Sequence, residues 1–226
     1  VDVRAGKNIF KQLSEAYRKI RNTARFILGN LNDFNPNTDQ VPDEELMDID
    51  RWAMMRLGEL TAQVHAAYQA FEFHDAFHRM HNFCVVDLSN FYLDVLKDRL
   101  YCEKSDSVTR RAAQTTIYRI LDALTRMLAP ILAFTMEEIW SYLPHEDGVD
   151  PASVMFNEMP KAEAATEPDQ KFMEKWERIH AIRNDVQKAL EEARTAKVIG
   201  GSLDATVTLH CTGELLAFVR SVETDL

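Results

Sequence analysis

The chain has 226 residues, 46% of them hydrophobic and 27% charged, with 26 Lys and Arg against 36 Asp and Glu for a formal net charge of −10. That composition describes one large globular domain, or one domain with a smaller companion, and excludes disordered and collagen-like chains. No run approaches the roughly twenty apolar residues of a membrane helix, no secretory signal is visible, and Cys84, Cys102 and Cys211 form neither a metal-type pair nor a disulfide framework, so a reducing, cytoplasmic setting is expected.

The first thirty-one residues carry seven bases, Arg4, Lys7, Lys11, Arg18, Lys19, Arg21 and Arg25, against Asp2 and Glu15. At 100° per residue, Lys7, Lys11, Arg18 and Arg25 form one stripe of a helix running from about Lys7 to Leu31. Ile9, Leu13, Tyr17, Ile20, Ala24, Ile27 and Leu31 lie on the other side. One face therefore suits a core and the other a polyanion, or simply solvent. Asn32 to Asp50 holds Pro36, Pro42 and seven acids with no base, and reads as an exposed loop kept away from any polyanion.

A second helix is predicted from about Asp50 to Ala70, with Trp52, Met55, Leu60, Val64 and Ala67 inward. A third spans Phe73 to Phe91, extending toward Leu100, because Phe73, Phe77, Met80, Cys84, Leu88, Phe91 and Val95 repeat at intervals of three and four. Ser107 or Asp106 caps a fourth helix to Leu128, with Ala113, Ile117, Ile120, Leu121, Leu124 and Leu128 apolar. Pro130 breaks the pattern, and Thr135-Met136-Glu137-Glu138 has capping-box spacing for a short fifth helix to Leu143. An acidic, proline-containing connector runs from His145 to Pro168. Another amphipathic helix follows from about Asp169 to Lys197, with Phe172, Trp176, Ile179, Ile182, Val186 and Leu190 in phase. After Gly200-Gly201 the period changes to two, and Leu203, Ala205, Val207 and Leu209 predict a strand; a short helix from Thr212 to Val222 closes the chain. A lone strand cannot make a sheet, so it would need partners outside this chain.

No nucleophile elbow and no phosphate-cradling glycine loop is present. His74, His78 and His81 share one helix face, a spacing that suits a metal, but no Cys or carboxylate joins them at an obvious position; surface or half-buried histidines are the plainer reading. A second basic cluster, Lys97, Arg99, Lys104, Arg110, Arg111 and Arg119, lies among Phe91, Tyr92 and Tyr101. Rings between cations suit unstacked RNA bases and phosphates; core rings beside surface arginines would look the same.

Several stretches are similar, in order, to one family. Ser14-Glu15-Ala16-Tyr17-Arg18-Lys19-Ile20-Arg21-Asn22-Thr23-Ala24-Arg25-Phe26 resembles the first helix of the anticodon-binding domain in class I aminoacyl-tRNA synthetases for large aliphatic amino acids. Leu28-Gly29-Asn30-Leu31-Asn32-Asp33-Phe34, Leu88-Ser89-Asn90-Phe91-Tyr92-Leu93-Asp94, Lys97-Asp98-Arg99-Leu100-Tyr101, Leu128-Ala129-Pro130-Ile131-Leu132 and Glu137-Glu138-Ile139-Trp140 continue it. Ala189-Leu190-Glu191-Glu192-Ala193-Arg194, then Lys197-Val198-Ile199-Gly200-Gly201-Ser202-Leu203, resembles the C-terminal junction. The bacterial isoleucyl members are the nearest in kind, with valyl and leucyl relatives as alternatives.

The resemblance implies a mainly α protein: an antiparallel helix bundle over residues 1–160 that binds an anticodon stem-loop, then a junction helix and a small, truncated α/β piece over 161–226. The start at Val1-Asp2-Val3-Arg4 fits a piece of a longer polypeptide. It implies no cofactor and no catalysis in this piece; the full enzyme would attach isoleucine to its tRNA with ATP and Mg, and would carry zinc outside this chain. The implied partners are the tRNA for isoleucine and the catalytic and editing domains of the same polypeptide, in a monomer that touches no membrane. Charge and helical phase select Arg18, Arg21, Arg25, Lys97, Arg99, Arg110 and Arg111 as phosphate contacts, with Arg183, Arg194 and Lys197 as an extension along the stem; Tyr92 and Tyr101 are the candidates for base contact, though core rings would look the same. A helical scaffold docking an acidic protein partner is the competing function.

Overall fold

A computed structural model describes residues 5–161, 167–201 and 204–223; Arg4, Ser202 and Leu203 of the patterns above lie outside them. The helices are α1 (Lys7–Gly29), α2 (Asp48–Gln69), α3 (Phe73–Asn82), a π-helical stretch (Phe83–Tyr92), α4 (Leu93–Val95), α5 (Lys97–Cys102), α6 (Val108–Leu128), α7 (Ala133–Tyr142), α8 (Glu167–Thr195) and α9 (Gly213–Ser221). They form two compact units, residues 1–164 and 165–226.

In the first unit α6 is the central element. It packs against α1, α2, α3, α5 and α7, and its predicted apolar positions Ala113, Ile117, Ile120, Leu121, Leu124 and Leu128 are all buried. A fully buried Ile or Leu contributes about 1.5–3 kcal/mol over an exposed one, so this helix organises the core. Ser107 caps it as predicted, its Oγ accepting the Arg110 N–H at 3.2 Å. The α1 helix stops at Gly29 because the Asn30 side chain donates to the Phe26 carbonyl at 2.8 Å and closes the last turn. Its apolar face is covered only in part: Ile20, Ala24 and Ile27 are buried, whereas Ile9 and Leu13 are exposed. The short helix after Pro130 begins at Ala133 instead of at a Thr135 cap, and the Thr135 hydroxyl meets the Tyr17 hydroxyl at 3.1 Å.

Three expectations are corrected. The third helix does run on past Phe91, but through ten π-helical residues. A wider turn moves the buried face forward: Leu88 is followed inside by Tyr92, Leu96 and Leu100, while Val95 of the predicted stripe is exposed. The acidic segment 32–50 is not a free loop. Leu31, Phe34, Val41, Leu46 and Asp50 are buried, the Val41 N–H donates to Thr115 Oγ1 at 3.1 Å, and several of its acids are the counter-charges of arginines on α5 and α6. The predicted strand is absent among the described residues: Ala205 to His210 is irregular, with Val207 and Leu209 exposed, as expected for a two-residue period with no neighbouring edge to pair with.

In the second unit, Trp176 and Ile179 of α8 are buried. The Arg178 guanidinium lies 3.8 Å over the Phe218 ring and ties α8 to α9, a cation–π contact. Gly200 and Gly201 donate their N–H groups to the Asp204 carboxylate at 3.1 and 2.8 Å.

Candidate nucleic-acid interface

The exposed side of α1 is cationic. Lys7, Lys11, Arg18, Lys19 and Arg25 are exposed and have no ion-pair partner among the described residues. Arg21 stands 3.6 Å from Glu138, both side chains more than half exposed, a pair that solvent makes weak and easily exchanged. Beside α1 runs the segment from Ser89 to Tyr101, tied to it at two levels. Thr23 Oγ1 and Ser89 Oγ lie 3.0 Å apart, and Asn30 Nδ2 donates to the Tyr101 hydroxyl at 3.5 Å. Between these ties Arg25 of α1 and Asn90 and Lys97 of the neighbouring segment are all exposed. Tyr101 is 62% exposed. Lys97 holds Asp94 at 2.7 Å, and that carboxylate raises the lysine pKa, keeping it charged. These ties set exposed Arg25 of α1 and exposed Lys97 of the neighbouring segment on adjacent elements.

The other arginines of the second cluster have an internal role. Arg99 is only 11% exposed and grips Asp50, itself 0% exposed, with Nη1 at 2.8 Å and Nη2 at 2.7 Å. Burial works against its charge, and Asp50 more than compensates, so its pKa is raised. Arg110 makes a two-pronged contact with Asp33 at 2.7 and 3.0 Å. Gln114 Nε2 donates to the same carboxylate at 2.8 Å, and the Arg110 hydrogen bond is the main reason Asp33 is lowered to about 2. Arg111 donates to the Asp33 carbonyl at 2.7 Å and lies 3.5 Å from Asp39. Arg119 pairs with Asp43 at 2.7 Å. These guanidiniums strap segment 32–50 to the bundle, and charge and helical phase in the sequence do not distinguish them from phosphate grips. Charge and spacing do not single out Asp50, Asp33 or Gln114; the seven acids of segment 32–50 are a signal for the two carboxylates alone.

In the second unit Arg183 is half-buried, Arg194 is exposed and pairs with Glu191 on the preceding turn of α8, and Lys197 is exposed just beyond the helix at φ 59°. Of the histidines, His74 and His78 are exposed, and His81 stacks on Phe77 at 6.3 Å, its pKa lowered chiefly by burial. Among the described residues no group of three or more His, Cys, Asp or Glu could hold a metal ion. No described helix is long and apolar enough to cross a membrane.

One end of the first unit is apolar. Tyr17 meets Thr135 at 3.1 Å and Tyr68 donates to the Met127 carbonyl at 2.6 Å, so the start of α1, the α2–α3 turn and the α6–α7 junction gather there. Phe10, Leu13, Phe71 and Phe73 are exposed at that end, and Phe134 is 95% exposed.

The family described as the anticodon-binding domain of tRNA ligase matches residues 50–209. Over 223 residues, 98% of the chain, it is 50% identical to an isoleucine--tRNA ligase of Caldanaerobacter subterraneus subsp. tengcongensis. It is 49% identical over 225 residues to that of Moorella thermoacetica and 50% identical over 225 residues to that of Desulforamulus reducens. The chain spans about a quarter of the length of these relatives, 24% in each case. With this match over more than half of its length, the chain belongs to the anticodon-binding domain family of tRNA ligases.

Proposed function

We propose that this chain grips the anticodon stem-loop of a tRNA that accepts isoleucine, as one part of a longer isoleucine--tRNA ligase. The observation that carries this is the unpaired cationic face of α1 in an acidic protein: Arg18 and Arg25, with Arg21 released from its weak pair, meet backbone phosphates, and Lys97 extends the row. Positive charge concentrated on the outer face of α1 orients a polyanion in a protein that is acidic overall. Tyr101 offers a ring face to an unpaired base at the end of the row. Arg99, Arg110 and Arg111, with their internal partners, support this surface from behind. Arg183, Arg194 and Lys197 of the second unit are further candidates for phosphate contact. In this assignment residues 1–160 form the RNA-gripping bundle and 161–226 the junction beyond it.

ATP and Mg chemistry, editing and zinc belong to other parts of the longer ligase, a reading supported by the family resemblance and by a chain that spans 24% of its relatives' length. The piece alone is then inactive in aminoacylation. The apolar end bearing Phe10 and Phe134 packs against the rest of that polypeptide, supported by relatives about four times as long and by the exposure of Phe10, Phe71, Phe73 and Phe134. The whole protein would work in the cytoplasm as a monomer.

Filter binding of cognate and non-cognate tRNA at two salt concentrations tests the RNA assignment. Replacing Arg18, Arg21 and Arg25 together by Ala should lower the salt slope by about two to three, at roughly 0.7–0.9 per phosphate contact. Unchanged affinity and slope in that variant would sink it. A protein-docking scaffold would instead bind acidic proteins and show no preference among tRNAs.

A further inference from the structure

A short helix carrying Lys97 and Tyr101 cannot choose its own rotation. α5 has six residues, Lys97–Cys102, too few to be stable by itself. On a helix, positions 97 and 101 share one face a turn apart, and position 99 points about 200° away from both. In the structure Leu96, Arg99 and Leu100 face inward, and Lys97 and Tyr101 face out. Arg99 is the polar member of that inward set and ties four elements together. Its guanidinium takes both oxygens of Asp50 on the first turn of α2, and its Nε donates to the Thr109 carbonyl on the first turn of α6 at 3.2 Å. The Tyr92 hydroxyl, at the end of the π-helical stretch, donates to Asp50 Oδ1 at 2.7 Å, and the Met47 N–H donates to Oδ2 at 3.2 Å. Every donor needed by a carboxylate without solvent is present.

Such a buried pair is a weak source of stability, because the desolvation of two charges offsets most of their attraction. Its geometry is specific where that of an apolar contact is not: the fork of one side chain fits one carboxylate in one orientation. We infer that Arg99 and Asp50 act as a positioning latch for RNA binding, setting the rotation of α5 so that Lys97 and Tyr101 stand together on the flank facing α1. Arg99 touches no RNA; it is a positioning residue for two groups that do. This rests on the RNA assignment above, and it changes what each substitution should do.

The test compares the whole chain with three variants: Lys97→Ala, Arg99→Lys, and Asp50→Asn combined with Arg99→Met. The double variant removes both charges together, so no carboxylate is left buried and unpaired; its single Asn oxygen still accepts from the Tyr92 hydroxyl, and the amide nitrogen takes the place of the oxygen that accepted the Met47 N–H. Binding of a tRNA that accepts isoleucine is measured against salt, and amide exchange of residues 97–102 is measured without RNA. Lys97→Ala should lower the salt slope by about one. The double variant should bind about tenfold more weakly, the cost of ordering two freed side chains, with its slope unchanged and with faster exchange in α5. Arg99→Lys keeps the charge but loses the fork, and should show the same split to a smaller degree; it decides the matter if the double variant fails to fold. Wild-type affinity in a folded latch variant overturns the inference, as does a slope reduced like that of Lys97→Ala, which would put Arg99 on a phosphate. Unaltered exchange in α5 overturns it whatever the RNA does. If the unsubstituted chain binds no tRNA, the RNA assignment is what has failed, and the exchange result alone judges the latch.

Discussion

Replacing Asp33 by Asn isolates the strap between segment 32–50 and α6. The carboxylate accepts from both Arg110 nitrogens and from Gln114, and it is held at about 2 where 3.8 is ordinary. A wholly sheltered group with that displacement would contribute about 2.4 kcal/mol. Asp33 is 43% exposed, and screening by solvent reduces this to about 1 kcal/mol. Because the folded pKa lies below the unfolded one, the contribution is complete above about pH 4 and disappears as pH falls toward about 2. Asn resembles the protonated acid: one oxygen still accepts from Arg110 and Gln114, and an uncharged group faces the other Arg110 nitrogen. Urea unfolding at constant ionic strength should therefore find the variant about 1 kcal/mol less stable near neutrality, with the gap closing between about pH 4 and pH 2. Equal stabilities at neutral pH, or a gap that does not change with acidity, would refute the strap.

Three further outcomes follow from particular contacts. Ser107→Ala removes the acceptor for the Arg110 N–H and should cost about 1 kcal/mol in urea unfolding. Changing Phe10 and Phe134 to Ser should shift stability in urea unfolding by no more than about 0.5 kcal/mol, since both rings are exposed. Thiol-reactive reagent should modify exposed Cys102 in the native protein and reach Cys84 only after unfolding. Burial, aided by Asp87, pushes the Cys84 thiol up to about 12, so almost none is thiolate at neutral pH. Mass mapping of the labelled sites reads the difference.

Helical phase was legible because it is local. Ile20, Ala24 and Ile27, and the whole apolar set of α6, could be assigned from spacing alone, as every neighbour on a helix face lies three or four residues away. The same rule failed where a non-local partner was needed. A period of two at Ala205, Val207 and Leu209 marks a strand only if another strand accepts it, and no described residue does. The π-helical turn displaced the inward positions from Val95 to Leu96, because one wider turn shifts everything after it.

The sequence by itself determined a mainly helical protein with a cationic first helix, the capped central helix α6 and a motif order shared with one family. Only the tertiary structure decided which cations remain available. Arg99 and Asp50 are 49 residues apart, and Arg110 and Asp33 are 77 apart, so their pairing has no signature in composition or helical phase. An arginine that grips a buried carboxylate and one left free in solvent are the same residue on the same kind of helix. What separates them is the acid that folding brings to one and not to the other.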